Sequence, residues 1–270
     1  MNTWTAEADG LTWRWQRWGE PGASPLVLLH GYAGEAASWQ SVAPELQDAY
    51  AVLAPDLPGH GGTGSPGPDW SLARAAAALA AQLPASFDLV GYSLGGRLAL
   101  HLACAFPERV KRLVLVGASA GLPESAARDE RRTQDARWIR LLDTEGLEAF
   151  VDAWQAQALF ASQERLDPAV RAAERSRRLA LNPRGLAAAM AAFGLGTQDY
   201  LGDRLPTMPT LWLSGAEDTK FAAIARRMAE ISGARHALVP ECGHNVPLER
   251  PRALAETIRA FARHPEETLV

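Results

Sequence analysis

Three residues far apart in this 270-residue chain have the types and the order needed to turn a hydroxyl into a base or nucleophile: Ser93, Asp218 and His244. Ser93 sits at the centre of Gly91-Tyr92-Ser93-Leu94-Gly95-Gly96. An apolar run, residues 87–90, precedes it, and an amphipathic run follows as far as Leu102, before the break at Pro107. That pattern predicts a strand, a turn too tight for any flanking residue but glycine, and a helix, with the serine at the apex. The helix begins just after Ser93 and aims its unpaired N–H groups and partial positive charge at the reacting centre.

The other two members follow in the chain. Residues 210–214 read as a strand and lead into Gly215-Ala216-Glu217-Asp218, which puts an acid at the strand's carboxyl end. Residues 236–239 read as a last strand, ending in Glu241-Cys242-Gly243-His244-Asn245. Serine, aspartate and histidine in that order form a triad in which His244 takes the Ser93 proton and Asp218 fixes the imidazole tautomer. Glu217 could replace Asp218. His236 could replace His244, but it lies within the strand pattern and is discounted.

A third feature belongs to the same centre. Residues 25–29 form a short continuous apolar run, the pattern of a strand buried on both faces, and His30-Gly31-Tyr32-Ala33-Gly34 follows at its carboxyl end. Loops in that position supply one backbone N–H to an oxyanion hole, assigned here to Tyr32, with the second from Leu94. His30 precedes the nucleophile and reads as a brace for the loop. Asp56 and His60 have no third ligand nearby, a poor case for a metal site, so they also read as loop braces.

The elements that must position these groups alternate. Residues 11–18 (LTWRWQRW) carry the two-residue period of a half-buried strand near a sheet edge, with core-facing tryptophans. A short helix is expected over 38–46, a strand over 50–57, an alanine-rich helix over 71–83 and a strand over 110–116. After residue 206 the rhythm resumes: Phe221, Ile224, Met228 and Ile231 stripe one helix, and Leu254, Ile258 and Phe261 the last. Strands alternating with helices predict an α/β fold, a mostly parallel central sheet with helices on both faces. From Ala120 to about Pro206 no buried strand is legible, only helical patterns interrupted by Gly146, Pro168 and Pro183. The expectation is one domain over 1–270 with a helical lid inserted at about 120–206, over the top of the sheet.

Composition narrows the function classes. A net charge of -4 and the lack of a long basic tract give no support for a nucleic-acid partner. No run approaches the roughly 18 apolar residues of a membrane span. The first ten residues, MNTWTAEADG, have neither the basic start nor the apolar core of a signal peptide. Cys104 and Cys242 lack metal spacing and fit a reducing compartment, so a cytoplasmic location is expected. Oligomeric state leaves no mark on the sequence.

The predicted lid concentrates arginine: Arg128, Arg131, Arg132, Arg137 and Arg140 in one segment, and Arg171, Arg175 and Arg178 at i, i+4, i+7 on one helix face. Arg97 stands four residues after Ser93, in the first turn of its helix. In a chain of net negative charge this suggests an anionic substrate gripped through its carboxylates, although a solvated basic face paired with Asp129, Glu130 and Glu174 would look the same residue by residue.

Residues 91–97, the run 175–198 (RSRRLALNPRGLAAAMAAFGLGTQ), Trp154 with Phe160-Ala161-Ser162, and residues 215–221 (GAEDTKF) together resemble the 2-succinyl-6-hydroxy-2,4-cyclohexadiene-1-carboxylate synthases of menaquinone biosynthesis, which have the α/β-hydrolase fold. The resemblance covers nearly the whole chain, and only 128–138 aligns loosely. It implies a lyase that eliminates pyruvate from a substrate with three carboxylates, with no metal or organic cofactor. Arg97, Arg131 and Arg178 would then be anion clamps, and Tyr92, Trp154 and Phe160 would shape the pocket. Without the resemblance, a serine hydrolase of an ester, thioester or carbon–carbon bond fits the triad equally, and a non-catalytic binding protein of the same fold fits it less well.

Overall fold

The computed structural model describes residues 1–265. Among them the strands are β1 (Asn2–Ala8), β2 (Leu11–Trp18), β3 (Ser24–Leu29), β4 (Tyr50–Pro55), β5 (Phe87–Tyr92), β6 (Val110–Val116), β7 (Thr210–Gly215) and β8 (Arg235–Val239). They form one sheet in the order β1-β2-β4-β3-β5-β6-β7-β8. Neighbours from β4 to β8 run parallel, while β1 and β2 make an antiparallel hairpin hung on β4. The central strands read as unbroken apolar runs because both of their faces are covered. Leu26 to Leu29 and Leu211 to Leu213 are fully buried, whereas the edge strand β8 leaves Leu238 exposed.

Two core layers do the covering. On one face, helices α1 (Leu72–Ala80) and α2 (Leu94–Ala105) bury Leu79, Leu98 and Leu102 against Val27, Leu89 and Leu113. On the other, Trp39 from one 3-10 turn and Leu46, which caps a second, join Leu254, Ile258 and Phe261 of the closing helix, residues 251–263. Each large apolar side chain so enclosed contributes about 1.5–3 kcal/mol, enough in aggregate to hold the loops at the strands' carboxyl ends in fixed relative positions.

Three points differ from the sequence expectation. The stretch 38–46 folds as two 3-10 turns, Ala36–Trp39 and Ala43–Glu45, because Pro44 at the head of the second removes the N–H a continuous helix needs. Helix α1 starts after its cap Ser71, whose hydroxyl accepts from Arg74 N–H, and is shorter than expected. The 11–18 strand lies near the edge as expected, one place in. The edge itself is β1, a strand absent from the sequence expectation, and Trp4 of β1 stacks on Trp15 with centroids 5.8 Å apart.

Between β6 and β7 the chain leaves the sheet for α3 (Ser125–Thr144), α4 (Gly146–Gln155), a 3-10 segment (Ala158–Arg165), α5 (Pro168–Leu179) and α6 (Pro183–Phe193). Asp167 and Asn182 cap α5 and α6, each followed by a proline at the first helical position. The first turn of α6 lies backbone-to-backbone on the loop after β4: a methyl group on Gly59 would fall 2.4 Å from the Gly185 carbonyl oxygen. Three further helices follow β7 and β8: α7 (Thr219–Ser232) after the first, then the short α8 (Val246–Glu249) leading into α9 (Pro251–Arg263) after the second.

Candidate active site

Strand β5 ends at Tyr92 and is followed by Ser93, whose φ of 51° and ψ of -110° hold it in a strained turn. Glycine is required on both sides. A Cβ on Gly91 would meet the Gly95 carbonyl at 2.3 Å, and one on Gly95 would meet the Leu29 carbonyl at 2.1 Å. The Ser93 N–H donates to the Val116 carbonyl at 2.8 Å, which ties the turn to the neighbouring strand. Leu94 is the first residue of α2, a position whose N–H has no intrahelical acceptor.

His244 reaches this turn from the loop after β8. Its Nε2 lies 3.2 Å from Ser93 Oγ and its Nδ1 2.6 Å from Asp218 Oδ2. The imidazole is buried, with Phe221, Tyr92 and Phe160 around it at ring-centroid distances of 4.6, 5.4 and 6.1 Å. A side chain at position 117 would press on it: a Cβ on Gly117 would be 3.0 Å from His244 Cε1. Asp218 serves a second purpose, since its Oδ1 accepts from Phe221 N–H as the cap of α7. Of the rival assignments, Glu217 turns to Arg165 at 2.6 Å, and His236 lies in β8 opposite Trp212. Glu249 was not singled out by sequence reasoning; its carboxylate accepts from Gly243 and Asn245 N–H and so braces the histidine loop.

The braces around the second loop are equally explicit. His30 Nε2 accepts from Leu57 N–H at 2.9 Å, and Asp56 accepts from Ala36 and Gly62 N–H while pairing with Arg14. His60 packs edge-on against His30 and Tyr32. Burial lowers the His30 pKa to about 4 and the His60 pKa to about 3. No group of three potential metal ligands occurs among the described residues.

Ser93, His244 and Asp218 open onto a cavity of about 700 Å³, within the range of small-molecule sites. Tyr32, Tyr92 and Leu94 line it at the sheet end. Trp138, Trp154, Phe160 and Phe193 line it from the helical insertion, together with Gln134 and Gln157. The Tyr32 hydroxyl donates to the Leu186 carbonyl of α6 at 2.8 Å, which links the sheet loop to the insertion.

The arginines divide sharply. Arg97 lines the cavity, donates from Nη1 to the Phe193 carbonyl at 2.7 Å and to Gln198 Oε1 at 3.0 Å, and forms no ion pair among the described residues. Burial, reinforced by the nearby charge of Arg131, lowers its pKa to about 9. Arg131 also lines the cavity, held by Asp135 at 2.7 Å. Arg128 and Arg132, on another side of α3, bind backbone carbonyls, and Arg175 pairs with Glu148 and Asp152. Arg178 is buried behind Phe160 and outside the cavity lining, its Nη2 held by Glu174 at 2.9 Å. Arg165 and Lys220, which line the cavity beside Glu217, were not among the expected site residues; their only sequence signal is closeness to the acid and to the Phe160 segment.

Residues 26–257 match the model of the alpha/beta hydrolase family. The chain is 35% identical over 252 residues to the 2-succinyl-6-hydroxy-2,4-cyclohexadiene-1-carboxylate synthase of Enterobacter sp. (strain 638), covering 92% of this chain and 95% of that one. The chain belongs to this synthase family within the alpha/beta hydrolases. A synthase of the same name from Salmonella agona (strain SL483) is 36% identical over 251 residues, 91% of this chain and 96% of the other. Among solved structures, MenH from S. aureus superposes with a TM-score of 0.88 at 31% identity, covering 94% of this chain and 99% of that one. Membership accounts for the eight-stranded sheet of the described residues, and no helix among them is long and apolar enough to cross a membrane.

Proposed function

We propose that this protein is a lyase that eliminates pyruvate from 2-succinyl-5-enolpyruvyl-6-hydroxy-3-cyclohexene-1-carboxylate, giving 2-succinyl-6-hydroxy-2,4-cyclohexadiene-1-carboxylate in menaquinone biosynthesis. The observation that carries the reading is a Ser93–His244–Asp218 line opening onto a cavity that also holds Arg97, a cation with no carboxylate partner among the described residues. The synthase relatives carry the name of the product.

In the proposed chemistry His244 Nε2 draws the Ser93 proton, and Ser93 Oγ removes the C–H proton of the ring carbon beside the succinyl ketone. The electron pair moves through the enolate and the ring alkene and expels the enolpyruvyl oxygen, which takes up a proton and tautomerises to pyruvate. Backbone N–H groups of Tyr32 and Leu94 meet the developing enolate oxygen. Arg97 and Arg131 hold carboxylates, and Tyr92, Trp154 and Phe160 enclose the ring. The helices between β6 and β7 act as the lid. The substrate is thus a small polycarboxylate, and the reading includes a cytoplasmic location.

Following pyruvate release from the purified enolpyruvyl substrate tests this directly. Turnover that stops in Ser93→Ala supports it. No pyruvate, together with a mass shift on Ser93 from an activated ester, would move the protein to the serine hydrolases.

A further inference from the structure

Behind Phe160, separate from the main cavity, lies a second cavity of about 30 Å³, large enough for one water-sized group. Phe160 and Tyr92 line both cavities, and the small one also touches Glu174 and Arg178. Arg178 is 4% exposed, and its Nε and Nη1 have no hydrogen-bond partner among the described residues. Its guanidinium carbon stands 5.7 Å from the centre of the Phe160 ring.

The charges around it do not balance. Glu174, itself 6% exposed, forms an ion pair with Arg178 through Oε1 at 2.9 Å and accepts from Arg177 through Oε2. Two guanidiniums therefore share one carboxylate, and Arg177 Nε is also unpartnered. The next acid, Glu35, is half-buried and its pKa is raised, first by burial and then by Asp56, with Arg177 opposing; it pairs with neither arginine. Burying a positive charge with unused donors is costly unless a further anion completes the set.

We propose that Glu174 is a positioning residue that keeps Arg178 drawn back from the main cavity and gives it up to a carboxylate of the guest. When the Phe160 ring turns aside the two cavities join, and Arg178 exchanges one carboxylate for another. Arg177 stays on Glu174, so the exchange strands no negative charge. The cost of breaking the Glu174–Arg178 contact is subtracted from the affinity of every guest that uses Arg178. That the guest is the cyclohexene polycarboxylate rests on the function proposed above. The exchange itself concerns any carboxylate that reaches this end of the cavity.

The test is Glu174→Gln, which keeps the shape and an acceptor but removes the charge, measured in the full-length protein. Expected are a KM for the enolpyruvyl substrate lowered about three- to tenfold with kcat little changed, and tighter binding of 3-benzoylpropionate, a ring with a succinyl arm, by calorimetry. Glu174→Asp, with a shorter and weaker grip, should move both in the same direction by less. In an Arg178→Met background Glu174→Gln should change neither. A raised KM, a lowered kcat, or unchanged values in the otherwise wild-type protein would overturn the exchange, since general structural damage does not tighten binding. If Glu174→Gln fails to fold, Glu174→Asp decides between the same two outcomes. Pyruvate release without tightening would remove the exchange alone. Absence of pyruvate with Glu174- and Arg178-dependent binding of 3-benzoylpropionate would remove the proposed reaction alone.

Discussion

Arg97 Nη1 donates to Gln198 Oε1 at 3.0 Å, a neutral acceptor where a half-buried guanidinium ordinarily finds a carboxylate. Gln198 is itself buried, so the pair holds the arginine's direction without cancelling its charge. A cation kept oriented and un-neutralised is pre-organised for an anionic guest.

Replacing Arg97 by Ala should therefore cost about 2–5 kcal/mol in kcat/KM, read in the pyruvate assay. Gln198→Leu should cost less and appear mainly in KM, because the charge survives and only its aim is lost. Equal activity in Arg97→Ala would take that residue out of the substrate site.

Asp218 both orients His244 and caps α7. Asn keeps an acceptor for the cap but reverses the preferred imidazole tautomer. Asp218→Asn is expected to lower kcat by about 10⁴-fold while the thermal midpoint barely moves. Asp218→Ala should lose comparable activity and also about 1 kcal/mol of stability. Thermal unfolding beside steady-state kinetics separates the two roles.

Stability should fall on acidification through the buried imidazoles. His30 and His60 have pKa values lowered by burial from 6.5 to about 4 and about 3, and His101 to about 4. The unfolded chain then binds protons near pH 6.5 that the folded chain refuses, so the stability is complete above that value and is lost as pH falls towards 3–4. His30 alone accounts for about 3 kcal/mol of this. Protonation of its Nε2 would also set an N–H against the Leu57 N–H it now accepts from. Denaturant midpoints between pH 7.5 and 5 check the slope, and a midpoint that does not move would refute it.

Gly95→Ala is expected to abolish soluble, active protein, because the added methyl would stand 2.1 Å from the Leu29 carbonyl, backbone that cannot yield without moving β3. Gly146→Ala is the control: it meets nothing within 4 Å, so only the strain of its φ of 86° remains. Circular dichroism of the soluble fraction distinguishes the two.

Much of this site is readable from the chain because its parts obey short-range rules. Glycines on either side of Ser93, an acid after one strand and a histidine after the next all lie within a few residues of the element that aims them. The insertion is not readable in the same way. Arg131 and Arg132 are adjacent, yet one faces the cavity and the other a carbonyl across a groove. Arg178 resembles a clamp beside Arg175 on one helix face, but the carboxylate four residues before it holds it behind Phe160. Which acceptor each guanidinium meets depends on packing between helices, and periodicity does not encode that. Strand β1 escapes notice although Trp4 and Ala6 alternate with polar residues, because alternation that short competes poorly with a charged terminus.

The first turn of α6 is riveted at two places, by the methyl-free contact between Gly185 and Gly59 and by the Tyr32 hydroxyl on the Leu186 carbonyl. That turn is bound to the sheet independently of the helices that precede it. Anyone transplanting a foreign roof onto this scaffold should cut upstream of Asn182 and leave that anchor in place, because the loop bearing the Tyr32 amide is tied to it through the Tyr32 hydroxyl.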